Sequence, residues 1–226
     1  MSLSLYPTFY LHGEDVGSVP GYARHIKYTK FIDLGQEESA LNARCKKDVI
    51  YEHRRAHREG VRLEVSRDIA DFAEFYNGFA ESKGLPEVSA AKISEYGKHC
   101  LIMKAVAAGN ALVMNCFLAD PVAGRAHMMY SASQFRSLEG ANARQLVGRA
   151  NRFLHLEAIK YFKAEGYRCY DLGGYALGTT DAALLRINKF KDEFGGTLVQ
   201  CATYVSWPLA VALRASGKNM GIQSAA

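Results

Sequence analysis

Apolar residues cluster along this chain in two different rhythms. LIMKAVA (101–107), ALVMNCFLA (111–119) and AHMMYSAS (126–133) are compact apolar runs, separated by Gly109-Asn110 and by DPVAGR. Runs of this length between turn residues predict three consecutive strands in hairpins. HIKYTKFIDL (25–34), rich in aromatic and β-branched residues, predicts another strand, and VRLEV (61–65) a shorter one. From Gln36 to Glu59 the spacing turns helical and stops at Gly60. Ser66 is the expected cap of a helix from about Asp68 to Ser82, with Gly84 and Pro86 as its stop.

Downstream, a loop containing Gly140 leads to a long helix expected over roughly Arg149 to Glu165. Leu154, Ala158, Ile159, Tyr161 and Phe162 share one of its faces. YRCYDL (167–172) reads as a buried strand. A helix follows over about Ala182 to Phe194, and TLVQCATYVSW (197–207) returns as a strand. Hairpins, then β–loop–α–β, then α–β, define a mixed α/β class: a mostly antiparallel sheet flanked by helices.

The chain has 226 residues, no repeat and no linker, so one domain is expected. No run approaches eighteen apolar residues, and MSLSLYPTFYLHGEDV lacks the two regions of a signal peptide. Cys45, Cys100, Cys116, Cys169 and Cys201 are scattered and never form CxxC. That suits reduced thiols in a cytoplasm better than disulfides or zinc. The net charge of +5 favours anionic ligands without arguing for nucleic acid. His53 and His57 stand one helical turn apart, but no third ligand accompanies them, and no metal is expected.

Candidate chemistry begins at Gln145-Leu146-Val147-Gly148-Arg149-Ala150, which fits Q/R-x-x-G-x-G/A, the pyrophosphate loop of GNAT-type acyltransferases. A helix start has amides without internal partners and a positive dipole end. Gly148 and Ala150 would let a diphosphate approach the backbone. Asn151 lies in the same stretch, and Arg149 and Arg152 add charge. The alternative is an ordinary helix start. His155 falls within the apolar helix face, as a ligand contact or general base, or as a hydrogen-bonded core histidine.

GRANRFLHLEAIKYFKAEGYRCYDLGG followed by NKFKDEFGG resembles the C-terminal half of Fem-type proteins. These are the GNAT-fold branch that includes peptidoglycan-bridge aminoacyl transferases. Phe190, Lys191, Phe194, Gly195 and Gly196 match the branch's Phe-Lys-x-x-Phe-Gly-Gly, and the likeness covers most of 25–207. It implies a GNAT-type fold with a splayed strand pair. The organisation expected is an N-terminal extension with a strand (1–35) and one GNAT-like domain (36–226). Bridge-forming members have two such lobes, and this chain has room for about one. Together with QLVGRA, that favours acyl-CoA over aminoacyl-tRNA as donor. A non-catalytic binding module remains the third reading.

In such a transferase an acceptor amine or hydroxyl attacks the acyl group directly. The reaction needs an oxyanion donor, a proton acceptor and an acid. A backbone N–H on AHMMYSAS is the expected oxyanion donor. Asp171, ending its strand, is the first candidate for base or acceptor positioning, with capping of the turn at Gly173 as the alternative. Tyr175 is the candidate acid. Lys191, by the resemblance, would stabilise charge. His127 and Tyr130 rank behind them. Arg54, Arg55 and Arg58 on the helix over 41–58 are candidates for an anionic acceptor, a small molecule or a cell-envelope precursor; the alternative is a solvated face.

Overall fold

The computed structural model describes residues 8–11, 16–136 and 138–215. Strands are β1 (Thr8–Leu11), β2 (Tyr22–Asp33), β3 (Arg62–Ser66), β4 (Cys100–Ala107), β5 (Asn110–Asp120), β6 (Arg125–Ser133), β7 (Cys169–Tyr175) and β8 (Thr197–Ser206). Helices are α1 (Glu38–Arg44), α2 (Lys47–Arg58), α3 (Ile69–Lys83), α4 (Ala90–Ser94), α5 (Ala141–Ala164), α6 (Ala182–Asp192) and α7 (Trp207–Ala215). The strands form one eight-stranded sheet in the order β1-β8-β2-β7-β6-β5-β4-β3. Among the described strands only the β6–β7 pair is parallel.

The three central runs form β4–β5–β6 as their turns require. The alternation of their side chains splits the interior in two. Val113 and Phe117 on β5 point towards α5, joining Val147, Ala150, Phe153, Leu154 and Phe162 in the larger core. Met114 and Cys116 point to the other face, against Phe72, Tyr76 and Ala80 of α3. Period two in the strand thus meets a helix on each face.

Four boundaries differ from expectation. The helix expected over 36–59 is broken: Cys45 is buried, and the Lys46 amide donates to Glu193 O at 2.8 Å instead of continuing the helix. Asp68, rather than Ser66, caps α3 through the Asp71 amide at 3.0 Å, while Ser66 Oγ accepts from the Asp68 amide. The α7 helix follows β8 directly, where only a strand end was expected. Finally, α5 begins at Ala141, two turns earlier than the motif suggested. Gly140, at φ 86°, is its N-cap. The strand assigned to an N-terminal extension is β2, which lies inside the sheet between β8 and β7.

Candidate active site

Two irregularities face each other at the centre of the sheet. In the β5–β6 ladder, Cys116 pairs with Tyr130 and Phe117 with Met128, so Met129 is an extra residue in a bulge. In the β2–β7 ladder, Thr29 pairs with Gly174 and Phe31 with Asp171, which puts a second bulge at Leu172–Gly173. Gly173 holds φ +76°, a conformation that glycine adopts without strain. Bulges bend a strand and increase its twist. The β6–β7 ladder accordingly lasts only from Arg125–Cys169 to His127–Asp171. Beyond it β6 follows β5 and β7 follows β2, and the gap between them becomes a cavity of about 430 Å³.

The cavity is lined by Met128, Met129 and Ser131 of β6, by Gly173 and Gly174 of β7, and by Gly148, Asn151 and His155 of α5. Ile187, Phe190 and Lys191 of α6 close one side, and Phe79 and Lys83 of α3 another. A Cβ on Gly173 would stand 2.9 Å from Met128 O. Gly173→Ala is therefore expected to cost roughly 1–2 kcal/mol of backbone strain before that clash is relieved. It should lower both the urea midpoint and any ligand binding in the cavity. Unchanged values for both would show that the strand gap does not depend on this residue.

Lys191 is 4% exposed, and its Nζ donates to Gly174 O. Burial lowers its pKa to about 8, and the Asp171 carboxylate counters only part of that. His155 is 1% exposed, and its Nδ1 lies 2.7 Å from the Tyr170 hydroxyl. Burial, then the Lys191 charge, lowers the imidazole to about 3, so the ring is neutral. Burial keeps the Tyr170 phenol protonated as well. A neutral ring serves this contact in either tautomer: the phenol donates to a bare Nδ1, or Nδ1–H donates to the phenol oxygen. His155 is thus a hydrogen-bonded core histidine that also lines the cavity.

Asp171 lies beneath this floor and is 0% exposed. It does not line the cavity. One oxygen receives Thr29 Oγ1 and the Gly173 amide at 2.9 Å; the other receives Arg125 and His127 Nδ1 at 2.6 Å. Burial opposes its ionisation, but His127, Arg125 and Thr29 together hold the carboxyl well below the usual range. A carboxylate so engaged is no proton acceptor. It ties β2, β6 and β7 together at the last rung before the gap and caps the Gly173 turn, the alternative considered for it.

The other expected site residues disperse. His127 serves Asp171. Tyr130 packs edge-on to Tyr76 on the α3 side, 5.4 Å between centroids. Tyr175 donates to Asp192 at 3.1 Å, outside the cavity lining. Among 145–152, Val147, Gly148 and Asn151 line the cavity, but Gln145 is exposed, Leu146 packs on the larger core and Ala150 is fully buried. Arg149 pairs with Glu59 at 2.7 Å, and Arg152 with Glu193 at 2.8 Å. The whole segment is helical, so its amides are spent on carbonyls four residues back and form no loop cradle. Only the first turn, Ala141 to Ala143, has amides without helical partners, and those residues do not line the cavity. Arg55 pairs with Glu59 at 3.0 Å; Arg54 and Arg58 line a separate, more open pocket of about 950 Å³ between α1 and α2 that shares no residue with the cavity. His53 bonds Glu157 at 2.7 Å, and no cluster of three metal-ligating side chains occurs among the described residues.

Sequence reasoning missed Tyr170 as the partner of His155, the Met129 bulge, and three basic residues at the cavity rim, Lys83, Arg136 and Arg186. Each depends on contacts between distant segments and leaves no local motif.

An open, mostly antiparallel sheet with one parallel pair splaying over a cavity is a GNAT-type architecture. A family model described as acetyltransferase (GNAT) domain matches residues 43–183, more than half of the chain, and the chain belongs to that family. Among solved structures it is similar to FemX, at 12% identity and TM-score 0.62, over 92% of this chain and 68% of that one. It is also similar to the C-terminal domain of a putative lysylphosphatidylglycerol synthetase from Agrobacterium fabrum, at 14% identity and TM-score 0.59. That match covers 87% of this chain and 65% of that one. A third similar structure is L-PGS from Bacillus licheniformis, at 13% identity and TM-score 0.55, over 87% and 67% of the two chains. At these identities the likeness is one of fold, and the chain spans about two thirds of these proteins' lengths. No curated protein matches the chain. The resemblance to Fem-type, GNAT-fold proteins holds, and no described helix is long and apolar enough to cross a membrane.

Proposed function

We propose that the cavity holds a carrier-bound acyl group and that an acceptor amine or hydroxyl attacks its carbonyl directly. The observation that carries this reading is the juxtaposition of Met129, Gly173–Gly174, His155 and Lys191 around one gap in the sheet. A backbone amide at the Met129 bulge, where the ladder is irregular, is assigned to the carbonyl oxygen. Lys191, as the ammonium, stabilises the charge that develops there. Neutral His155, lining the cavity, positions the acyl group or the acceptor by a hydrogen bond from its Nε2 edge, whose sense follows the tautomer. Burial pushes the Cys45 and Cys169 thiols up to about 11 and about 12, so neither is poised for a covalent intermediate.

The family favours acyl-CoA as the donor and acetyl as the group. The acceptor would be an anionic small molecule or cell-envelope precursor. One observation favours a second donor, an aminoacyl-tRNA: QLVGRA lies inside α5, so the diphosphate loop that argued for coenzyme A is not formed. Calorimetric titration separates them. An acyl-CoA enzyme should saturate with acetyl-CoA below millimolar concentration. A tRNA user should ignore it and bind charged tRNA with steep salt dependence. Silence towards both ligands would sink the transferase reading and leave a binding module.

A further inference from the structure

The rim of the cavity carries three cations with no carboxylate within ion-pair distance among the described residues, although Asp181 acts on Arg186 at longer range. Lys83 ends α3, Arg136 follows β6 and Arg186 lies on α6; all three line the cavity, and no Asp or Glu does. Some cations elsewhere are paired, Arg149 and Arg55 with Glu59, Arg152 with Glu193, Lys104 with Asp71 and Lys30 with Asp192, but none of these lines the cavity. Among the described residues none of the three rim cations has such a pair.

Arg136 is held at the end of α3 beside Lys83, and Arg186 lies within electrostatic reach of Lys83. Arg136 Nη1 donates to Ser82 O at 3.0 Å, which fixes it beside the end of α3. Lys83 Nζ stands over the Phe79 ring, 4.5 Å from its centroid. Partial burial lowers the Lys83 ammonium, and the charges of Arg136 and Arg186 lower it further. Three like charges gathered from separate elements repel one another, and a multivalent anion between them would remove that repulsion. Two guanidiniums and an ammonium match a phosphate group: the forks give paired hydrogen bonds and the lysine a mobile point charge.

We infer that Lys83, Arg136 and Arg186 form a phosphate subsite, which takes a phosphate group of the carrier while its acyl end reaches towards Gly173 and Lys191. The carrier's role rests on the acyl-transfer reading; the anion site itself does not. The subsite replaces the backbone cradle once expected at Gly148 with side chains from three elements, and it lies apart from the arginines of α2.

The test is calorimetry with inorganic pyrophosphate at low and moderate salt, on the wild-type chain and on Lys83→Ala, Arg136→Ala and Arg186→Ala. All three residues are exposed, so the variants should fold, which circular dichroism checks. Each substitution is expected to weaken binding about tenfold, the size of one charge-assisted hydrogen bond. Lys189→Ala, on α6 but outside the cavity, should bind as wild type. Equal binding by the three variants, or an equal loss in Lys189→Ala, would overturn the subsite. Two further ligands identify the source of the phosphate. Tighter binding of 3′,5′-ADP than of a CCA-ended RNA oligonucleotide supports a coenzyme A carrier, and the reverse order supports tRNA; both outcomes keep the subsite. Pyrophosphate binding that depends on the triad, in a chain that transfers no acyl group, would keep the subsite and remove the transferase reading.

Discussion

Lys191→Met should reduce kcat/KM for acyl transfer by about 10²–10³-fold, the usual loss for one electrostatic donor aimed at a developing oxyanion. Its placement sets it apart: among the cationic lining residues, Lys191 is the buried one, held against Gly174 where β7 leaves β6. Methionine keeps a stem of similar length, so the core should tolerate it. Because burial sets the lysine at about 8, wild-type transfer should decline as pH rises through that value. A second readout separates mechanism from folding. The group falls from 10.5 in the unfolded chain to about 8 in the folded one. Between those values the unfolded chain binds more protons, and wild-type stability gains from Lys191 as pH rises. Lys191→Met should lack that increment and be at least as stable at neutral pH. Full activity in the methionine variant would remove the lysine from the mechanism.

Asp171→Asn should cost about 3–5 kcal/mol of stability, the penalty for removing one partner of a buried ion pair. The amide cannot hold Arg125 and His127 together, and the Arg125 guanidinium, stacked 4.7 Å from the Phe31 ring, would remain buried beside a neutral group. The carboxyl is depressed in the folded state, so its contribution is present above the ordinary carboxylate value and fades as pH falls below it. Urea unfolding at pH 7 and at pH 3 measures both effects, and the difference between variant and wild type should shrink at the lower pH. Asp171→Leu combined with Arg125→Met should recover part of the loss, because no charge is then stranded. A loss below about 1 kcal/mol at pH 7 would mean that the network is not a fastening.

The strands were legible because their signals are local. The β4–β5–β6 hairpins follow from apolar runs and turn residues within thirty-odd positions of one another. The helix start was misplaced because a six-residue motif outweighed continuity. Val147, Ala150, Phe153 and Leu154 already recur at helical spacing, and Gly140 already offered a cap. Nothing local marks the break at Cys45, which depends on a bond from Lys46 to Glu193. Lys191 was singled out through a family pattern, and the fold places it in the cavity lining. Asp171 was misread because its position at a strand end does not reveal that Thr29, Arg125 and His127 surround it. The rim cations could not be read at all, since three segments must fold before they meet.

The short β6–β7 ladder has a mechanical meaning. Most sheets are weakest at their margins, where the outer strand has one neighbour. Here the seam runs through the middle: four strands lie on either side of a join only three rungs long, tethered by a single buried carboxylate. A pull across the sheet would part it there first, and a bulky guest would widen it there with least resistance.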